Sequence, residues 1–323
     1  MHFALPPRKS SYSFPYARSP RQGPSLQRRK QIKTVAVLGF VALSFFFLLS
    51  HLFSSSGSNE VSVPAGTPKV VIVTVLDRDY MTESYIRKIK KNREDYAARY
   101  GYANFFTDVS EYEPYLNNAP RSWAVVPAVR HALTTYPHST YFFHLSPHAL
   151  IMNPKLSLQS HVLDSKRLES MMLKDIPVVP PDSVIKTFSH LKGGDVDFVV
   201  AQDKEDLSPG SFILKQGDWG RFFLDVWFDP LYRSYNFMKA ESHALDHIVQ
   251  WHPTILAKLA LVPQRVLSAY SKDSPGAAVD GTYQEGDFVI RFPGCEIDST
   301  RNCEEEMDPY FARWQRLVDR KDN

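Results

Sequence analysis

Thr34–Phe53, TVAVLGFVALSFFFLLSHLF, runs for twenty residues without a single Asp, Glu, Lys or Arg, and fifteen of the twenty are apolar. A helix of that length rises about 30 Å, the thickness of the hydrocarbon core of a bilayer. A cleaved signal peptide has a shorter apolar region and a small-residue cleavage site, and no such site follows here. A buried core helix would have to tolerate a polar tail on one side and SSSGSNE on the other. The run therefore predicts a transmembrane signal-anchor, and it divides the chain. Residues 1–33 hold eight Lys/Arg and no acid; their Pro, Ser and Arg content predicts a disordered cytosolic tail. With the positive flank in the cytosol, the C-terminal body lies across the membrane in type II topology. Residues 54–69, small, polar and marked by Pro and Gly, read as a short lumenal stem. The body, 70–323, is long enough for one sizeable core and shows no internal repeat.

Net charge misleads as an average. Without the basic tail, 30 of the 38 basic residues remain against all 35 acidic ones, a net of −5. A nucleic-acid-binding body should be basic, so nucleic acid is excluded as the expected partner. Two cysteines, Cys295 and Cys303, are too few for a disulfide scaffold or a structural zinc ribbon. In an oxidising lumen they favour one loop-closing disulfide; two partly buried thiols are the alternative. No N-x-[ST] sequon occurs, so N-linked glycosylation is not expected.

The body opens with Val70–Leu76, VVIVTVL, a β-branched run suited to a strand buried on both faces. A helix over Tyr85–Tyr100 follows, stopped by Gly101, then a strand at Ala103–Phe106. Helices are expected over Trp123–Thr135, Trp219–Asp229 and Ser242–Trp251, with strands at Tyr141–Leu145, Val196–Ala201 and Ser211–Leu214. This alternation predicts an α/β fold with a mostly parallel central sheet, whose ligands lie at the carboxyl ends of its strands.

Few local motifs carry chemistry. His144/His148 and His243/His247 have i, i+4 spacing, but neither pair is H-E-x-x-H, and Pro147 argues against a helix in the first. No nucleophile elbow, P-loop or dinucleotide-binding glycine motif is present. Asp77 and Asp79 sit where a metal-diphosphate could bind, though a solvated strand-to-helix turn accounts for them better. Spacing alone stops at a lumenal α/β enzyme or enzyme-like domain.

Four segments go further. Trp123–Pro154 (WAVVPAVRHALTTYPHSTYFFHLSPHALIMNP), Leu207–Leu214 (LSPGSFIL), Lys239–Val249 (KAESHALDHIV) and Gly286–Cys295 (GDFVIRFPGC) resemble, in order, four motifs of glycosyltransferase family 34. These are a W-A-x-x-P helix leading to a D-x-D strand end, a G-L-N-x-G-S-F-L-I turn, a D-D-Q-S-A helix and a G-D-F-V-V-H-F-A-G-C ending. Within that family the similarity points to the fungal alpha-1,6-mannosyltransferases of the Golgi mannan polymerase. The resemblance implies a GT-A body, a Rossmann-like nucleotide-sugar-binding domain, behind the anchor. It implies transfer of mannose from GDP-mannose, with retention, to an N-glycan mannan backbone, by one subunit of a Golgi-membrane hetero-oligomer of mannosyltransferases.

The same resemblance nominates residues. Glu241 and Asp203 are the catalytic candidates; Ser146, His148, Arg291, Arg130, Gly210 and Ser211 are expected at the donor. Each has a plainer explanation: a helix-terminal acid for Glu241, a turn for Pro209-Gly210, solvent contact for Arg130. Ser146-Pro147-His148 stands where the family has D-x-D, leaving His148 as a single weak ligand for Mn²⁺. Arg291 stands where the family has a histidine. Either Arg291 neutralises the donor diphosphate without metal, or the subunit is a non-catalytic scaffold or acceptor guide in which Arg291 pairs with Asp287 or Glu285.

Overall fold

The computed structural model describes residues 26–53 and 63–319 except 273 and 279; of the helix over 26–53, the side chains of 26–30, 32 and 48–53 also lie outside the described set. Two units, 1–62 and 63–323, are taken separately. The first contributes helix α1, Leu26–Phe53. The apolar residues of α1 whose side chains are described are exposed, Phe40 at 74% and Phe46 at 73%. Among the described residues no helix is long and apolar enough to cross a membrane. The expected disorder of 1–33 gives way to helix from Leu26, because LQRRKQIK consists mainly of good helix formers continuous with the apolar run. Residues 1–25 and 54–62 of the expected tail and stem lie outside the description.

In the second unit β1 (Val70–Leu76) is buried at every position, as a central strand of β-branched residues should be. Helix α2 (Glu83–Tyr100) starts where the Thr82 hydroxyl accepts the Tyr85 N–H, and stops at Gly101, whose φ of 66° is the left-handed conformation glycine takes most readily. Next come β2 (Ala103–Asp108), α3 (Val125–Thr135), β3 (Tyr141–Leu145), β4 (Ala149–Ile151), α4 (Ser165–Met171), β5 (Phe198–Gln202) and β6 (Leu207–Lys215). The chain continues through α5 (Asp218–Trp227), α6 (Ala240–Trp251), β7 (Leu259–Val262), β8 (Ala269–Tyr270), β9 (Val289–Arg291) and α7 (Cys303–Asp319).

Six strands form a sheet in the order β2-β1-β3-β6-β5-β7. The pairs β1–β2, β1–β3 and β5–β7 are parallel, but β6 runs antiparallel to both its neighbours. Five of the six strands therefore run in one direction, so the sheet is mostly parallel as expected, with β6 alone reversed. The reason is local: only residues 203–206 join β5 to β6, too short for a crossover, so the chain makes a hairpin. Period-2 alternation sends Val71, Val73, Phe142 and Phe212 to one face, under α3, α5 and α6, and Val70, Ile72, Phe143 and Ile213 to the other, under α2 and α4. Each fully buried side chain of this size contributes about 1.5–3 kcal/mol. Trp123 belongs to the first layer, 1% exposed. A second sheet, β4-β9-β8, packs with α2 and α7 into a third cluster through Leu150, Ile290, Phe292, Met307 and Trp314. Its β4–β9 pairing places Ala149 opposite Arg291, beside the carboxyl end of β3.

Candidate active site

The turn Ser146-Pro147-His148 lies between β3 and β4 and is tied down on three sides. The Ser146 N–H donates to the Gly210 carbonyl at 2.8 Å, and the Phe292 N–H donates to the His148 carbonyl at 2.9 Å. From beneath, Arg93 of α2 donates Nη2–H to the Ser146 carbonyl at 3.0 Å. These contacts bring Ser146, His148, Gly210 and Arg291 to one place, with Ser211 paired to Leu145 at the end of β3. Ser211 Oγ is buried and lacks a hydrogen-bond partner.

Arg291 is 8% exposed. Its Nη1 donates to Ser208 Oγ at 2.7 Å and Ser268 Oγ at 3.0 Å, and its guanidinium carbon lies 5.6 Å from the Tyr270 ring centroid. Its Nε has no partner. The expected alternative, an ion pair to Asp287 or Glu285, is not formed: Asp287 is bound by Arg265 at 2.8 Å, and Glu285 pairs with Arg313. Arg93, fully buried, likewise meets only Asn92 Oδ1 and the Ser146 carbonyl, and burial pulls it down to about 9. Burial, together with the Arg291 and Arg93 charges, drives His144 down to about 3, so that imidazole stays neutral.

His148 stacks on Tyr85 at 5.9 Å, with the Tyr85 hydroxyl 3.1 Å from Nδ1. Burial holds this imidazole below its ordinary range, a shift opposed by the Glu296 carboxylate and reinforced by Arg291. The possible metal ligands grouped with it are Cys295 and Cys303. Those sulfurs are joined in a disulfide, as one of the two sequence alternatives expected. The turn thus supplies one imidazole and no carboxylate, which does not fit Mn²⁺ with its preference for hard oxygen ligands. A second group, Asp206, His243 and Asp246, has its ligand atoms within 4.8 Å of one another. Its charge is already met by the Lys239 ammonium on Asp206, while burial and the neighbouring Asp206 raise Asp246 to about 8.

Glu241 opens α6. The residue before it, Ala240, has a φ of 45°, a strained conformation for a non-glycine. Trp227 Nε1–H donates to the Glu241 carbonyl at 2.9 Å and fixes this helix start. Burial lifts the Glu241 carboxyl to about 7 against a hydrogen bond from Ser122, and the Glu296 charge adds to the rise. The Glu296 charge acts on both Glu241 and His148. A carboxyl poised near neutrality can give and take a proton, the requirement for general acid–base work.

Two expected residues have other duties. Arg130 of α3 is paired with Asp225 of α5 at 3.2 Å and is 39% exposed. Asp203 is not an open carboxylate: Oδ1 accepts the Glu205 and Asp206 N–H groups at 2.9 Å, and Oδ2 accepts the Tyr270 hydroxyl at 2.8 Å. Through Tyr270 and Ser208, which lie 2.8 Å apart, it steadies the hydroxyls around Arg291. Asp77 and Asp79 are both bound by Arg121. Arg93, Tyr85, Ser268, Tyr270 and Glu296 had no local motif to announce them; only the chain's long-range pairing brings them here.

The galactosyl transferase GMA12/MNN10 family, glycosyltransferase family 34, matches residues 66–303. The chain belongs to this family. This family 34 chain is 33% identical over 230 residues to an uncharacterized alpha-1,2-galactosyltransferase of Schizosaccharomyces pombe, covering 70% of itself and 60% of that protein. It is 31% identical over 284 residues to the probable alpha-1,6-mannosyltransferase MNN11 of Saccharomyces cerevisiae, covering 82% and 67%. It therefore spans 60% of the first relative's length. Among solved structures, a glycosyltransferase involved in glycosylation of the major capsid of PBCV-1 aligns with a TM-score of 0.49 at 12% identity, over 75% of this chain and 98% of that one.

Proposed function

We propose that this family 34 chain is a GT-A hexosyltransferase that moves mannose from GDP-mannose to an alpha-1,6-linked mannan backbone on N-glycans, with retention. The bond from the anomeric carbon to the diphosphate oxygen breaks, and a bond to an acceptor hydroxyl oxygen forms. The hydroxyl proton passes to the Glu241 carboxylate or to the departing diphosphate. One observation carries the reading: in a member of this family two buried arginines, Arg93 and Arg291, flank the turn after β3, and a carboxyl in the first turn of α6 is raised to about 7. The four-motif resemblance favours mannose; the galactosyltransferase names among the relatives make galactose the competing sugar. The uncharged run 34–53 and its basic flank support a type II Golgi anchor, with fellow mannosyltransferase subunits as partners.

The test offers the full chain GDP-mannose or UDP-galactose with an alpha-1,6-oligomannoside acceptor. A product one hexose longer, formed from GDP-mannose and cleaved by an alpha-1,6-specific mannosidase, is expected. A second reading has its own observation: Ser146-Pro147-His148 offers no carboxylate, which suits a scaffold or acceptor-guiding subunit. On that reading the chain transfers nothing alone yet changes product length when added to its partners.

A further inference from the structure

Arg291 is a buried cation whose neutralising charge the fold does not supply. Among the described residues, every hydrogen bond from its side chain goes to an uncharged hydroxyl, and no carboxylate forms an ion pair with it. A buried charge left uncompensated is costly, so a site holding one is primed for an anion. Arg93 repeats the pattern on the other side of the same turn, with an amide oxygen and a carbonyl as its only acceptors among the described residues. The nearby imidazoles offset nothing, since burial lowers both.

The space around Arg291 is shaped for it. A Cβ at Gly210 would fall 1.8 Å from Nη2, so glycine there lets the guanidinium lie against the backbone that receives the Ser146 N–H. Gly210, Ser146, Pro147 and His148 are each partly exposed, so this edge of the buried arginine faces a surface that ligand can reach. Nη1 is committed to Ser208 and Ser268, Nε is buried, and among the described residues Nη2 carries no hydrogen bond. Ser208 is in turn held by Tyr270, whose hydroxyl donates to Asp203. This chain orients acceptors toward Nη1 and leaves the Nη2 end of the fork, beside Gly210, for a ligand. A planar fork with a vacant donor is matched to phosphate oxygens.

We infer that Arg291 takes the diphosphate of a nucleoside diphosphate directly, in place of a divalent cation, with Arg93 stiffening the turn and adding to the positive potential. The inference rests on the sugar-nucleotide reading above. It also explains why the residues at the turn do not fit Mn²⁺: the positive charge that a metal would bring is built into β9.

Calorimetry with GDP on the full chain, in detergent, tests it in EDTA and then in Mn²⁺. Binding that is the same in both media is expected. In EDTA, Arg291→Met should weaken GDP at least tenfold, and Arg291→Lys, which keeps the charge but loses the fork, should fall between. Gly210→Ala, which retains the arginine but displaces it, should also weaken binding, with thermal unfolding confirming that each variant is folded. Binding that requires Mn²⁺, or Arg291→Met and Gly210→Ala chains that bind like the native one, overturns the inference while leaving the sugar-nucleotide reading intact. Absence of binding in both media, from folded protein, overturns that reading and this inference with it.

Discussion

Two arginine sites lie beyond the ends of adjacent strands of the central sheet, β1 and β3, and their charges are treated in opposite ways. Beyond β1, Arg121 is surrounded by acid: Asp77 at 3.0 and 2.8 Å, Asp79 at 2.8 Å, and Glu113. Beyond β3, Arg291 and Arg93 are more deeply buried and meet only neutral oxygens. The common rule is that the deeper a charge lies, the more it needs a partner. The chain reverses that rule in one place. It obeys it at Lys88 on Glu304, Arg265 on Asp287 and Arg301 on Glu306. Charge balance therefore separates arginines that hold the fold from arginines kept for something the fold does not contain. Glu241 belongs with the second kind, half-buried, with its Oε2 buried and unpartnered among the described residues.

The largest effect is expected at Glu241. Glu241→Gln keeps the shape and removes the titrating proton, so turnover should fall about 10²–10⁴-fold in a transfer assay with donor binding retained. Stability should respond in a distinct way. Burial raises the folded-state pKa from the usual 4.5 to about 7, so folding takes up a proton. The stability associated with this group is complete below about 4.5 and is lost as pH rises to about 7. The loss is at most about 3 kcal/mol. Thermal unfolding at pH 5 and pH 8 should show that fall in the native chain and a flatter profile in Glu241→Gln. Equal profiles would place Glu241 among the ordinary, balanced carboxylates.

The next effect sharpens the contrast between the arginines. Arg121→Ala strands Asp77, Asp79 and Glu113 together and should cost about 1–2 kcal/mol, discounted because the side chain is 30% exposed. Arg291→Met removes a guanidinium that no carboxylate awaits, and should stay within about 1 kcal/mol of the native chain. Urea unfolding measures both: a lower midpoint at constant slope for the first, little movement for the second. If the two lose the same stability, Arg291 is a structural residue after all.

How much of this could be read from the sequence depends on range. VVIVTVL declares a central strand by itself, and Gly101 ends α2 as its type predicts, because both signals are local. Cys295 and Cys303 were readable as a pair because nothing else competes for them. Glu241 and Arg291 were reached through motif resemblance rather than spacing. The β4-β9-β8 sheet was not legible, since strands of three, three and two residues carry no period. Nor was Arg93, which looks like one more charge in the helical segment KIKKNREDY until α2 is packed against the turn. Asp203 is the instructive miss: its place at a strand end was right, but the hairpin turn and Tyr270 claim both its oxygens.

The smallest effect is expected at Arg130, and it tests the criterion from the other side. This arginine stood with Arg291 among the donor-binding candidates, yet it is 39% exposed and pairs with Asp225, itself 64% exposed, across α3 and α5. Exposed pairs of this kind contribute about 0.2–1 kcal/mol, because water screens the attraction and ordering two long side chains offsets much of it. Arg130→Ala should therefore shift the urea midpoint barely at all and leave GDP affinity unchanged, even at low salt, where surface electrostatics are strongest. A several-fold loss of GDP affinity at low salt, recovered at high salt, would mean that the outer face of α3 steers the nucleotide. Charge balance would then be an incomplete guide, since a solvent-screened, partnered arginine would be working at the site alongside the buried, unpartnered one.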